Sequence, residues 1–260
     1  MTTTDALYVY GVVPNDTPHE LFAGVAGVAG DAEVRLIDAD GLAAVASAVP
    51  LAEFDNEALE ANLKDGAWLE QKVQAHNRVL AAAVGRATVL PFRFGAIYRS
   101  AEHLRESLAE RPELRERLAR LNGMQELGVK AVLDADALRA RLEQTRGVEP
   151  GAPGGRAYML RKQIAREIDA EVRDFAARAA ESSHERLAAV AADARANPAQ
   201  PLDGAGEMIL NGAYLVEAGR EPAFGGAIEE LQEQFGNDGV AYELTGPWPP
   251  YNFAEEGMQE

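Results

Sequence analysis

Leu127-Gly128-Val129-Lys130-Ala131-Val132-Leu133 decides how the second half of this chain is read. It is a strand-sized run rich in β-branched and apolar residues, set off by Asn122-Gly123 before it and by a polar turn after it. A short helix over Ala135 to Gln144 follows, then the glycine- and proline-rich stretch from Gly147 to Gly155, the clearest break in the chain. From Arg156 to Ala196 neither proline nor glycine occurs. A helix that long would reach roughly 60 Å at 1.5 Å per residue. Its stripe is Leu160, Ile164, Ile168, Val172, Phe175 and Ala179, with a bend expected at Ser182-Ser183.

Further on, Met208 to Val216 predicts a strand, Ala223 to Phe235 a helix, and Val240 to Thr245 a last strand after a Gly236-Asn-Asp-Gly239 turn. The order strand, helix, strand, helix, strand is that of a ferredoxin-like α+β unit with one strand missing or weak. Upstream, Leu7 to Val13 reads as a buried strand. Glu33 to Ile37 and Leu42 to Val49 read as a hairpin through Asp38-Ala-Asp-Gly41. A long helix is expected from Asn56 to Val84, a strand from Thr88 to Phe94, and a helix after Ser100 that Pro112 divides. The fold class is α+β in two domains, 1–124 and 125–260, the second a modified ferredoxin-like domain carrying a Pro/aromatic tail.

Composition narrows the function. The chain has 260 residues and a formal charge of −17. So acidic a surface repels phosphate backbones and anionic bilayers, so no nucleic acid and no membrane is expected as a partner. It keeps a protein soluble beside a hydrophobic partner, and is read equally well as a solubility trait alone. Without cysteine there is no thiolate nucleophile and no zinc–thiolate site. No leader-like start and no run approaching the ~20 apolar residues of a membrane span is evident, so the expected location is cytoplasmic.

Chemistry is sparse. Glu181 and His184 share a helix face, but a di-iron site needs a second such pair, and only four histidines occur. Gly24, Gly27 and Gly30 lead into a strand, where no helix N-terminus waits for an anion. Gly151 to Arg156 does precede a helix, near Arg161 and Lys162, yet it lacks the Gly-Lys-Ser/Thr ending of a P-loop. No catalytic, metal or cofactor residue is therefore assigned, and no enzyme activity is expected.

The tail holds the least ordinary residues. Pro247, Pro249 and Pro250 remove three backbone donors, so strand pairing must stop or shift there. They stiffen a ribbon bearing Trp248, Tyr251 and Phe253, which either straps this protein's own sheet or anchors a partner. With Arg93, left open between a solvated and an interface role, and Val240, Tyr242 and Leu244 on the last strand, these residues form the candidate interface.

Five blocks now carry a resemblance. They are Leu7 to Val13, Val89-Leu90-Pro91-Phe92-Arg93-Phe94-Gly95, Tyr158-Met159-Leu160-Arg161-Lys162, Leu210-Asn211-Gly212-Ala213-Tyr214-Leu215-Val216, and Gly246-Pro247-Trp248-Pro249-Pro250-Tyr251-Asn252-Phe253. In this order over nearly the whole chain, they resemble the gas-vesicle protein F/L family. Pro91, Phe92, Phe94, Gly95, Asn211, Tyr214, Gly246, Pro247, Pro249, Pro250 and Asn252 are its structural motif positions. The resemblance implies a non-catalytic role in gas-vesicle assembly or as a minor structural component. The implied partners are the hydrophobic shell protein and other accessory gas-vesicle proteins, with location at gas vesicles. The competing expectation is a small-ligand-binding regulatory protein with a polar pocket around Arg156, Arg161 and Tyr214.

Overall fold

The computed structural model describes residues 5–146, 155–202, 204 and 206–254. Contacts divide the chain into two compact units. One comprises residues 1–126 together with 247–260, the other 127–246. The expected division kept the tail with the C-terminal half; by contacts, it groups with the first unit.

In the first unit, β1 (Asp5–Pro14) is central. It pairs antiparallel with β4 (Leu42–Pro50) on one side and with two short strands, β5 (Leu90–Pro91) and β6 (Ile97–Tyr98), on the other. Beyond β4 lie β3 (Gly30–Ala39) and β2 (Ala26–Gly27). The hairpin between β3 and β4 closes Ala39 on Leu42, with positive φ at Asp40 (50°) and Gly41 (79°), as a two-residue type I′ turn requires. β1 and β4 are buried along nearly their whole length and read as continuous apolar runs, as strands covered on both faces do. The strand expected over Thr88 to Phe94 shrinks to two paired residues, because Pro91 has no N–H to extend the ladder.

Helices cover this sheet. The continuous helix expected from Asn56 to Val84 is instead two pieces, α2 (Asn56–Asn62) and α3 (Gly66–Ala81), preceded by a single turn, α1 (Leu51–Phe54). Asp65 is the reason. Its carboxylate takes the N–H groups of Ala67 (3.0 Å) and Trp68 (3.3 Å), which starts a new helix and ends the old one. Ser100 caps α4 (Ala101–Ala109), and Pro112 separates it from α5 (Glu113–Arg120).

The second unit holds a four-stranded sheet in the order β10-β7-β9-β8, where β7 is Met124–Leu133, β8 Asp193–Ala196, β9 Glu207–Glu217 and β10 Val240–Trp248. The long helix expected to reach Ala196 stops at Ala188, and Asp193–Ala196 turns back as β8, paired antiparallel with β9. Helices α6 (Ala135–Thr145), α7 (Gly155–Ala188) and α8 (Glu221–Phe235) accompany the sheet. Ile168, Val172, Ala179 and Leu187 of α7 are buried against Val129, Leu210, Tyr214 and Phe224. After β10, α9 (Tyr251–Ala254) ends the described chain.

Candidate functional site

The interface residues on the last strand fall into two groups. β10 ends the sheet order, so among the described residues one of its long edges has no strand beside it. Val240 is buried and belongs to the core, so its side chain offers no surface. The Tyr242 hydroxyl lies 2.6 Å from Ser183 Oγ, which in turn donates to the Ala179 carbonyl at 2.6 Å. That ring therefore fastens β10 to α7. Leu244, by contrast, is 47% exposed.

The backbone of this edge is partly taken. Gln232 of α8 donates its amide to the Val240 carbonyl (3.0 Å) and accepts the Tyr242 N–H (3.2 Å). Gly236 makes room for it, since a Cβ there would stand 2.3 Å from Gln232 Nε2. Alternate residues of a strand present both backbone groups to the same side. The outward set is thus Val240, Tyr242, Leu244 and Gly246, and Gln232 occupies its first positions. What is left open runs from the Tyr242 carbonyl to Gly246, and Pro247 ends it.

The tail follows another course. Pro249, Pro250, Phe253 and Ala254 are buried, Phe253 to 2% exposure, so Phe253 has no surface to present. Tyr251 donates its hydroxyl to Asn77 Oδ1 at 2.8 Å. Asn252 donates its backbone N–H (3.0 Å) and its side-chain amide (2.7 Å) to the two oxygens of Glu126. Burial pushes the Glu126 carboxyl above its ordinary range, and these two bonds oppose the rise. Arg117 reaches the Ala254 carbonyl. Trp248 is the one tail aromatic left half exposed, at 51%. Arg93 is exposed but engaged with a partner group.

Polar groups elsewhere are tied into the core. Tyr8 accepts the Gly95 N–H and contacts His76 Nδ1 at 2.9 Å. With Gly95 as donor, the phenol proton goes to Nδ1, and His76 carries its own proton on Nε2, which is buried without a partner. Burial lowers the His76 pKa from 6.5 to about 4. Lys72 bridges Glu53 (2.7 Å) and the Val28 carbonyl (2.9 Å) beneath the Phe54 and Trp68 rings. In the second unit, His184 Nδ1 meets the Tyr214 hydroxyl at 3.0 Å, joining α7 to the sheet. Among the described residues, no three His, Asp or Glu side chains converge as a metal site. Tyr214 is fully buried. The Arg156 side chain and the Gly151 to Gly154 loop lie outside the described residues.

A family model described as gas vesicle synthesis protein GvpL/GvpF matches residues 6–255. The chain belongs to the GvpL/GvpF gas vesicle family. Gas vesicle protein L of Streptomyces sp. (strain CB03234) is 34% identical to it, across 100% of this chain and 98% of that relative. Gas vesicle protein F of the same strain is 32% identical over 95% and 99%, so similarity does not sort the chain into either type. The crystal structure of GvpF from Anabaena sp. PCC7120 superposes with a TM-score of 0.71 at 20% identity, covering 98% of both chains, and shows the same mixed fold.

In this GvpL/GvpF member, the motif blocks have structural reasons. A Cβ on Gly11 would stand 2.5 Å from the Leu90 carbonyl and 3.0 Å from Pro91 Cα, so glycine is what lets β5 lie against β1. Gly212 leaves the space that the Tyr214 ring fills, a Cβ there falling 2.4 Å from that ring. Asn211 donates to the Pro198 carbonyl at 3.1 Å and holds the approach to β9. Phe94 joins the Tyr8, Trp68 and His76 rings, while Phe92 is buried. Gly246 has φ of 109°, which places the turn into Pro247 where other residues are strained. Family membership assigns the chain to gas vesicle formation.

Proposed function

We propose that the chain serves gas vesicle assembly by holding hydrophobic shell subunits, and other accessory gas vesicle proteins, along the open part of the β10 edge. The observation that carries this reading is the exposed Leu244 beside outward backbone groups that no strand covers. An extended apolar segment can add itself there by main-chain hydrogen bonds, with Leu244 supplying side-chain contact. The charge of −17 would keep such a complex dispersed. The β10-β7-β9-β8 order, with α7 and α8 on the connections, supports reading the second unit as ferredoxin-like. The work is positioning and no catalysis is involved, and it takes place at gas vesicles.

Leu244→Pro tests the reading. Its missing N–H faces outward, so the pairing with β7 is kept while an added strand loses a donor. Shell-protein binding should fall at least tenfold with the thermal midpoint near that of the unsubstituted chain. Unchanged binding and unchanged vesicle formation would remove this edge from the account.

A further inference from the structure

The first turns of α7 combine two properties found together nowhere else among the described residues. Tyr158, Met159 and Leu160 are 58%, 65% and 57% exposed, three consecutive large apolar side chains in water. Between Arg156 and Arg166 the sequence holds four basic residues and no acidic one, in a chain whose total is −17. Arg161 has a partner, whereas Lys162 and Arg166 have no ion pair among the described residues.

Where the helix becomes anchored is sharply marked. From Glu167 on it is tied to α6, through Arg146 to Glu167 and Glu171 and through Arg139 to Asp169 (3.1 Å), and Ile168 is the first fully buried residue. Ile164 and Leu160 stand one and two turns ahead of Ile168 on the same stripe. Ile164 still packs against the core, so the seam continues outward for about 6 Å beyond the packed part, at 1.5 Å per residue. Beside it, Met159, Leu160, Lys162, Gln163 and Arg166 line a shallow groove.

We propose that this overhang docks an acidic amphipathic helix of another protein. A seam with i, i+4 apolar spacing is complementary to another helix's ridge. Charge selects the partner: aspartates or glutamates flanking that ridge meet Lys162 and Arg166. A second copy presenting the same end would set four cations against four, which a two-fold contact cannot avoid. An anionic bilayer would attract these cations, but the excess negative charge of the whole chain opposes its approach. The contact spans under three turns and therefore buries less than the roughly 1,000 Å² of a stable interface. Its affinity is accordingly modest, and it weakens as salt rises. This surface is distinct from the β10 edge, so either can fail without the other.

The test places a benzophenone amino acid at Tyr158 of the full chain, co-expressed with the other gas vesicle proteins of its own organism, and maps photo-adducts at peptide level. The expected adduct lies on a helix-patterned segment of another protein with Asp or Glu beside its apolar stripe. Lys162→Glu with Arg166→Glu should lower its yield at least fivefold, with the thermal midpoint unchanged because both side chains are exposed. Adducts on a second copy, on lipid or on a segment without acidic excess would overturn the proposal, as would no adduct at all. Shell binding measured in the same variants reports separately on the β10 edge.

Discussion

The side-chain amide of Gln232 stands in for a neighbouring strand against Tyr242, accepting its N–H at 3.2 Å while donating to the carbonyl two residues earlier. It closes the start of an edge that would otherwise offer a longer template. Gln232→Ala should cost about 1 kcal/mol of stability, the usual net worth of neutral hydrogen bonds. It should also raise self-association, as the covered part of the edge becomes available. Urea unfolding and sedimentation velocity check the two effects, and a variant that stays as monomeric as its parent would show the clamp to be only structural.

A second expectation concerns acid. Burial keeps His76 neutral in the fold, with its pKa near 4 against 6.5 unperturbed, so the unfolded chain takes up the proton first. Stability is therefore complete above pH 6.5 and declines as pH falls towards 4, by about 3 kcal/mol in total. The decline should be absent from His76→Gln relative to its own value at pH 7. Urea midpoints at pH 7, 5.5 and 4.5 for both proteins measure the difference.

The tail offers a third. Asn252→Ala deletes the 2.7 Å bond to Glu126 and leaves a buried carboxylate with a poorer set of donors. A loss of about 2 kcal/mol at neutral pH is expected. Because burial has already raised the Glu126 pKa, acidification protonates this group early in the fold and shrinks the penalty. Glu126→Gln in the same chain should recover part of the loss. Removing everything after Thr245 should lower the melting temperature of the first unit far more than either substitution.

Gly11→Ala is a fourth. The new Cβ meets backbone on the facing strand at 2.5 Å, which no side-chain rotation relieves. A cost of about 2 to 3 kcal/mol, with β5 pushed away from β1, follows from overpacking. Hydrogen exchange at the Phe92 amide, which donates to the Tyr10 carbonyl at 2.9 Å, should accelerate with it.

Much of this was legible from residue types. The Asp40-Gly41 turn, the Ser100 cap, the division at Pro112 and the long α7 are local chemistry, and local chemistry is what a sequence displays. The helix from Asn56 was overdrawn because Asp65 looks like one more helix-surface acid until its carboxylate turns back on the chain. Asp193 to Ala196 reads as the end of the long helix, because it has helix formers and no proline or glycine, and it owes its strand conformation to pairing with β9. The Gln232 clamp had no sequence signal: a glutamine on a helix surface looks the same whether it faces water or a strand edge. The sharing of the tail's residues between core and surface likewise depends on Glu126 and Asn77, more than a hundred residues away in sequence.

The grouping of residues 247–260 with 1–126 also makes the second unit an insertion within the first. Its two ends meet on neighbouring strands, where the Thr245 hydroxyl reaches the Gly128 carbonyl. Bringing the segments of the first unit together closes a loop through residues 127–246, and the inserted sheet has already joined the ends of that loop. Folding of the inserted unit therefore lowers the chain entropy lost when the first is completed.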